Sequence, residues 1–127
     1  MSPPGIGAAT GAAEDSDPAV VDAAAQQDLR DTLGDDIFDE ILDALRDNLG
    51  RLMKDIAEAA TQHDAAAAAR AAHALKGATL NLGFTLIAHH AARLEAKGKG
   101  GTAPAADDMA VIRHAVAISF PGEDFQR

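Results

Sequence analysis

Asp64-Ala65-Ala66-Ala67-Ala68-Ala69-Arg70-Ala71-Ala72-His73-Ala74-Leu75-Lys76-Gly77-Ala78-Thr79-Leu80-Asn81-Leu82-Gly83 is the stretch that decides the fold. Asp64 is a good N-cap residue, and the alanine run behind it has the highest helix propensity available. Ala68, Ala71, Leu75, Ala78 and Leu82 recur at spacings of three and four, the signature of a helix with one inward stripe. Asn81-Leu82-Gly83 ends the pattern, with Gly83 suited to the left-handed position past the last turn.

Helical periodicity continues on both sides. Upstream, Phe38, Ile41, Leu45, Leu49, Leu52, Ile56 and Ala60 define a long amphipathic helix running unbroken through Gly50 to about His63. Asp35 or Asp36 is its expected cap, and the acids Asp35, Asp36, Asp39 and Glu40 suit the positive end of its dipole. A short helix from Pro18 to Leu33 precedes it, with Asp17 as cap, Val21, Ala25, Leu29 and Leu33 on one side, and Gly34 as its stop. Downstream, Thr85 caps a fourth helix with Ile87, Ala91 and Leu94 inward. Lys97-Gly98-Lys99-Gly100-Gly101 reads as a flexible loop. A fifth helix covers Pro104 to Ser119, with Met109, Ile112 and Val116 inward and Phe120-Pro121-Gly122 as its stop. No segment alternates like a strand. The expected fold is all-α, an antiparallel up-down four-helix bundle preceded by a short N-terminal helix. Residues 1–17 are expected to be a disordered tail, 18–120 the helical domain and 121–127 a C-terminal tail.

Composition narrows the function. The 127 residues carry a net charge of −9, are 47% apolar, and contain no Cys, Trp or Tyr. Alanine supplies 31 of the apolar residues, so the larger side chains suffice for a single small core. Without Cys there are no disulfides, no thiolate zinc site and no thiol nucleophile. Acidity and the scarcity of aromatic rings exclude the usual devices for gripping nucleic acid. No apolar run is long enough for a membrane span, and the N-terminus lacks the basic and apolar regions of a secretory signal, so the expected location is cytoplasmic. Charge is uneven: residues 1–62 carry a net −10 and residues 63–127 a net +1, so an anion is less repelled by the second half.

Chemistry concentrates on the outward face of the Asp64 helix. At about 100° per residue, Arg70, His73, Lys76, Gly77 and Leu80 share that face, opposite the inward stripe. A mid-helix Gly costs about 1 kcal/mol relative to Ala, and Gly77 stands in a chain otherwise rich in Ala. It lies one turn after His73, where it leaves the imidazole uncrowded. A neutral imidazole is a nucleophile near pH 7, and a Lys one turn away places positive charge where phosphoryl oxygens would sit. The plain alternatives are a silent surface His, a solubilising Lys and a Gly that serves a close helix contact. His89-His90 and His114 show neither an i,i+4 His pair nor a Glu-x-x-His, so no metal site is expected and these histidines read as rim residues.

His73-Ala74-Leu75-Lys76-Gly77 followed by Leu80-Asn81-Leu82-Gly83 resembles the signature of histidine-containing phosphotransfer (HPt) domains: a His, then Lys-Gly three and four positions on, then a Gly six further. Thr85, Ile87 and Leu94-Glu95 resemble the following helix of that family, and the similarity spans about residues 28–119. The resemblance implies a phosphocarrier rather than an enzyme, exchanging a phosphoryl group between His73 and an aspartate of response-regulator receiver domains. It implies that Lys76 steadies the phosphoryl group and that Gly77 lets the receiver approach, with Arg70 and Leu80 on the same docking face. It also implies a monomer fed by an upstream hybrid histidine kinase, with no cofactor of its own, Mg²⁺ belonging to the receiver. Chemotaxis-kinase relatives place a His and a Glu beside the phosphoacceptor. Glu95 matches that Glu, but Ala92 stands in place of the His, which favours a solvent-facing Glu95 over one bonded to the His73 ring. Two other readings are the dimerisation helices of a histidine kinase, where an acid and then a Pro usually follow the active His, and a non-catalytic helical adaptor of HPt-like fold. Ala74-Leu75 argues against the first, and the joint presence of His73 and Lys76 against the second.

Overall fold

The computed structural model describes residues 17–121. Five helices occur among them, without any strand: α1 (Ala23–Leu33), α2 (Asp35–Thr61), α3 (Ala65–Leu80), α4 (Thr85–Lys99) and α5 (Ala106–Ser119). Each helix packs against the next in the chain. The expected tails at 1–16 and 122–127 lie outside the described residues.

α3 begins as its sequence requires, with the Asp64 carboxylate accepting the Ala67 N–H at 3.0 Å. α2 runs continuously past Gly50 and buries Phe38, Leu45, Leu49, Leu52 and Ile56, joined by Met53 and Ala59. Ile41 and Ala60, read as core, are only half-buried. With Leu75, Leu82, Ile87, Ala91, Leu94, Met109, Ile112 and Val116, the α2 residues form one continuous core. Phe84 and Phe120 close one end of it, their ring centroids 4.6 Å apart.

Several boundaries differ from the sequence reading. α1 starts at Ala23, capped by Asp22 through the Ala25 N–H at 3.0 Å, not by Asp17. Residues 18–21 remain outside the helix because their backbone is used elsewhere. The Thr85 hydroxyl donates to the Ala19 carbonyl at 2.7 Å, and the Asp22 N–H donates to the Gly83 carbonyl at 2.7 Å. Thr85 therefore straps the N-terminal arm to α4 and does not cap it; Phe84 holds the cap position without a side-chain bond. Gly34, at φ 87°, both ends α1 and precedes α2, leaving Asp35 and Asp36 in the first turn of α2. α5 starts at Ala106, with the Asp108 carboxylate accepting the Ala105 N–H at 2.8 Å.

Two corrections bear on the site. The buried face of α3 is broader than the expected stripe: Ala69, Ala72 and Thr79 are buried, while Ala71 and Ala78 are half-buried. And Lys97-Gly98-Lys99 is helix, not loop. Gly98 is buried there, where a Cβ would lie 2.7 Å from the Ala65 carbonyl oxygen and 2.9 Å from the Ala69 Cβ. The missing side chain lets the end of α4 lie directly on the first turns of α3.

Candidate functional site

α3 carries the predicted face as expected in one respect. Arg70, His73, Gly77 and Leu80 are exposed, Lys76 is half-buried, and a Cβ built on Gly77 would meet nothing within 4 Å. The backbone beside His73 is thus open from outside, and the close helix contact considered for Gly77 belongs instead to Gly98.

Glu95 departs from expectation. Its side chain is 6% exposed, although α3 and α4 leave the adjacent His73 ring 68% exposed. Three cations or donors converge on this one carboxylate. Lys76 Nζ lies 2.8 Å from Oε1, Lys99 Nζ lies 3.1 Å from Oε2, and His73 Nδ1 lies 2.9 Å from Oε2. The reading of Glu95 as a solvent-facing residue is corrected by these contacts. A buried carboxylate requires partners, and here α3 supplies two and α4 itself supplies the third. Bonds from Lys76, Lys99 and His73, in that order, hold the Glu95 carboxyl down to about 2.

An ionised carboxylate only accepts hydrogen bonds, so His73 Nδ1 is the donor in this pair. The neutral ring then carries its lone pair on Nε2, which makes no hydrogen bond to any described residue. Glu95 therefore does two things at the imidazole: it selects the tautomer, and it fixes the ring plane. An open depression of about 490 Å³, lined by Ala69, Arg70, His73, Glu95 and Lys99, lies beside the ring.

Sequence reasoning missed Lys99. Its signal was present, since Glu95 and Lys99 are spaced i,i+4. It was hidden by reading the Gly-containing stretch around it as a loop.

A family model described as Hpt domain matches residues 40–118, most of the chain. The chain belongs to the Hpt domain family. The match takes in α3, α4 and all four of His73, Lys76, Gly77 and Glu95. No curated protein and no solved structure matches the chain. Hpt domains serve histidine phosphotransfer in two-component phosphorelays, and they act as phosphocarriers rather than as conventional enzymes. No helix among the described residues is long and apolar enough to cross a membrane.

Proposed function

We propose that this Hpt domain is a phosphorelay carrier whose phosphoacceptor is His73 Nε2. The observation that carries the reading is the buried Glu95 carboxylate on His73 Nδ1, which leaves Nε2 as the free lone pair on an exposed ring. In the transfer step, Nε2 attacks the phosphorus of a receiver aspartyl phosphate. The N–P bond forms as the P–O bond to the aspartate breaks, and the aspartate leaves as a carboxylate. The Nδ1 proton stays on the ring, which becomes cationic and is stabilised by Glu95. Reversal of the same step returns the group to a receiver. Phosphoryl transfer depends mainly on positioning and charge stabilisation, and Lys76 and Lys99 bring positive charge to the carboxylate that holds the ring.

Gly77 and Leu80 form the docking surface for receiver domains, with Arg70 at its edge. An upstream hybrid histidine kinase supplies the phosphoryl group, the domain works as a cytoplasmic monomer, and Mg²⁺ is contributed by the receiver. The short connections between helices that pack on their chain neighbours support an antiparallel up-down arrangement of α2–α5.

Incubation with a phosphorylated receiver should label the wild-type protein with an acid-labile, base-stable phosphate. His73→Gln should abolish the label while far-UV circular dichroism and melting temperature hold. Labelling of His73→Gln at the wild-type level refutes the site, and labelling from ATP alone refutes the carrier role.

A further inference from the structure

A second group of ionisable side chains lies away from the His73 face. Asp17, His89 and His90 bring one carboxylate oxygen and two ring nitrogens within 4.8 Å of one another. Asp17 Oδ1 lies 3.4 Å from His90 Nε2 and 3.9 Å from His89 Nε2. The two rings stand edge to face, centroids 5.0 Å apart. Adjacent residues of a helix diverge by about 100° at the backbone, but the two rings turn back toward each other, and their ligand atoms lie within 4.8 Å. Asp17 supplies the third atom between them.

The arm that carries Asp17 is fixed by backbone bonds to the same helix. Thr85 Oγ1 donates to the Ala19 carbonyl at 2.7 Å, and the Leu86 N–H donates to the Val20 carbonyl at 3.4 Å. His90 is buried, whereas His89 and Asp17 border solvent, leaving an open side for an ion to enter.

From this cluster we propose a divalent transition-metal site, with Zn²⁺ as the natural occupant, in which His89 Nε2, His90 Nε2 and Asp17 Oδ1 ligate one ion. Metal–ligand bonds of about 2.0–2.2 Å in tetrahedral geometry place ligand atoms roughly 3.3–3.6 Å apart, so the cluster, whose ligand atoms lie within 4.8 Å of one another, closes on an ion by side-chain rotations that draw them together by up to about 1.5 Å. Two imidazoles and one carboxylate favour Zn²⁺ over the oxygen-seeking Mg²⁺ and Ca²⁺. Three protein ligands leave the fourth position to water. Arg93, one turn along α4, acts on His90 electrostatically and weakens the attraction of the site for a cation. Bound metal would clamp the N-terminal arm onto α4, at a place separate from the phosphoacceptor.

The test is a Zn²⁺ titration of the full chain, followed by calorimetry and by amide hydrogen exchange. The wild type should bind one equivalent, melt at a higher temperature, and protect the Leu86 amide further, all reversed by a chelator. His90 is buried and its replacement could unfold the domain, so the peripheral ligands are the informative ones. Asp17→Asn and His89→Gln should each weaken Zn²⁺ binding at least about tenfold. His73→Gln, His63→Gln and His114→Gln should bind as the wild type does. Absence of Zn²⁺ binding in the wild type overturns the proposal. So does undiminished binding by the Asp17→Asn/His89→Gln double variant, or loss of binding in His73→Gln. Mg²⁺ at the same concentration should leave the Leu86 amide unchanged, and equal protection by Mg²⁺ also counts against the site.

Discussion

Three glycines inside helices should respond in opposite directions to one substitution. At Gly50 and Gly77 a new Cβ would meet nothing within 4 Å, so replacement by Ala carries only the gain in helix propensity. That gain is up to about 1 kcal/mol. At Gly98 the same methyl would stand 2.7 Å from the Ala65 carbonyl oxygen, 2.9 Å from the Ala69 Cβ and 3.0 Å from the Ala69 nitrogen. Ordinary carbon contacts lie near 3.5–4.0 Å, so relief requires α3 and α4 to separate by roughly half an ångström or more. The obstacles are backbone and an alanine methyl, with no flexible side chain to swing aside. Overpacking of this kind costs about 1–3 kcal/mol. Subtracting the propensity gain leaves Gly98→Ala destabilised by up to about 2 kcal/mol. At the scale of this domain that is a fall of up to roughly 15 °C in melting temperature.

Urea denaturation followed by circular dichroism measures all three variants under one condition. Gly50→Ala and Gly77→Ala should move the midpoint up, and Gly98→Ala should move it down without a change in slope. Separation of α3 from α4 should also loosen the Glu95 bond to His73, because Glu95 lies one turn before Gly98 on the same helix. The His73 ring nitrogen shifts should then move toward a mixture of tautomers. Gly98→Ala at wild-type stability or above would refute the close-approach argument and with it the stated reason for the placement of Glu95.

Further outcomes follow from the same geometry. Glu95→Gln should shift the His73 tautomer balance in ring nitrogen NMR and slow phosphotransfer, while Glu95→Ala should in addition lower stability by stranding its partners. Lys76→Ala should slow transfer or shorten phosphohistidine lifetime about tenfold or more, since a charge-assisted bond is worth roughly 1.5–3 kcal/mol; an unaltered rate and lifetime would make Lys76 a structural partner of Glu95 only. Glu95 has a carboxyl pKa of about 2 against an ordinary 4.5, so its stabilisation is fully present above pH 4.5 and is lost as pH falls toward 2. Acid unfolding of Glu95→Gln should show a shallower slope in that window than the wild type. Gly77→Gln should keep or raise the melting temperature yet obstruct receiver approach, so transfer falls; unfolding of this variant would mean that Gly77 packs against a neighbour.

The sequence was most informative where one residue type has one physical role. Asp64 as a cap, Gly83 at a left-handed turn and most of the α2 stripe (Phe38, Leu45, Leu49, Leu52 and Ile56) follow from local rules, and the structure has them as read. It was least informative where the deciding partner is distant in the chain. Lys97-Gly98-Lys99-Gly100-Gly101 has the composition of a loop, and only the proximity of Ala65 and Ala69 explains why its first half is helix. Thr85 has the chemistry of an N-cap, yet Ala19 takes its hydroxyl. The alanine-rich α3 offered little contrast between its faces, since Ala is accepted both inside and outside. That is why the burial of Ala69 and Ala72 on the α4 side was not legible. Glu95 was visible as a family match, but its burial required knowing that Lys99 continues the helix and arrives beside Lys76.

Charge at the site connects these observations. The resting cluster holds the Glu95 carboxylate against the Lys76 and Lys99 ammonium groups, with His73 Nδ1 on the same carboxylate. Formally that is one surplus positive charge in a chain whose net charge is −9. A phosphoryl group on Nε2 would bring nearly two negative charges, while the ring becomes cationic through the proton kept on Nδ1. On the proposed function, that incoming charge would meet the cationic ring and the two lysines that Glu95 holds. Preorganisation of this kind requires no rearrangement at the moment of transfer. A buried acid next to the proposed phosphoacceptor would by itself repel a phosphoryl group. With two lysines bound to it, the same acid becomes the anchor that gathers positive charge at the site, and Gly98 is the residue that lets α4 bring it close enough to do so.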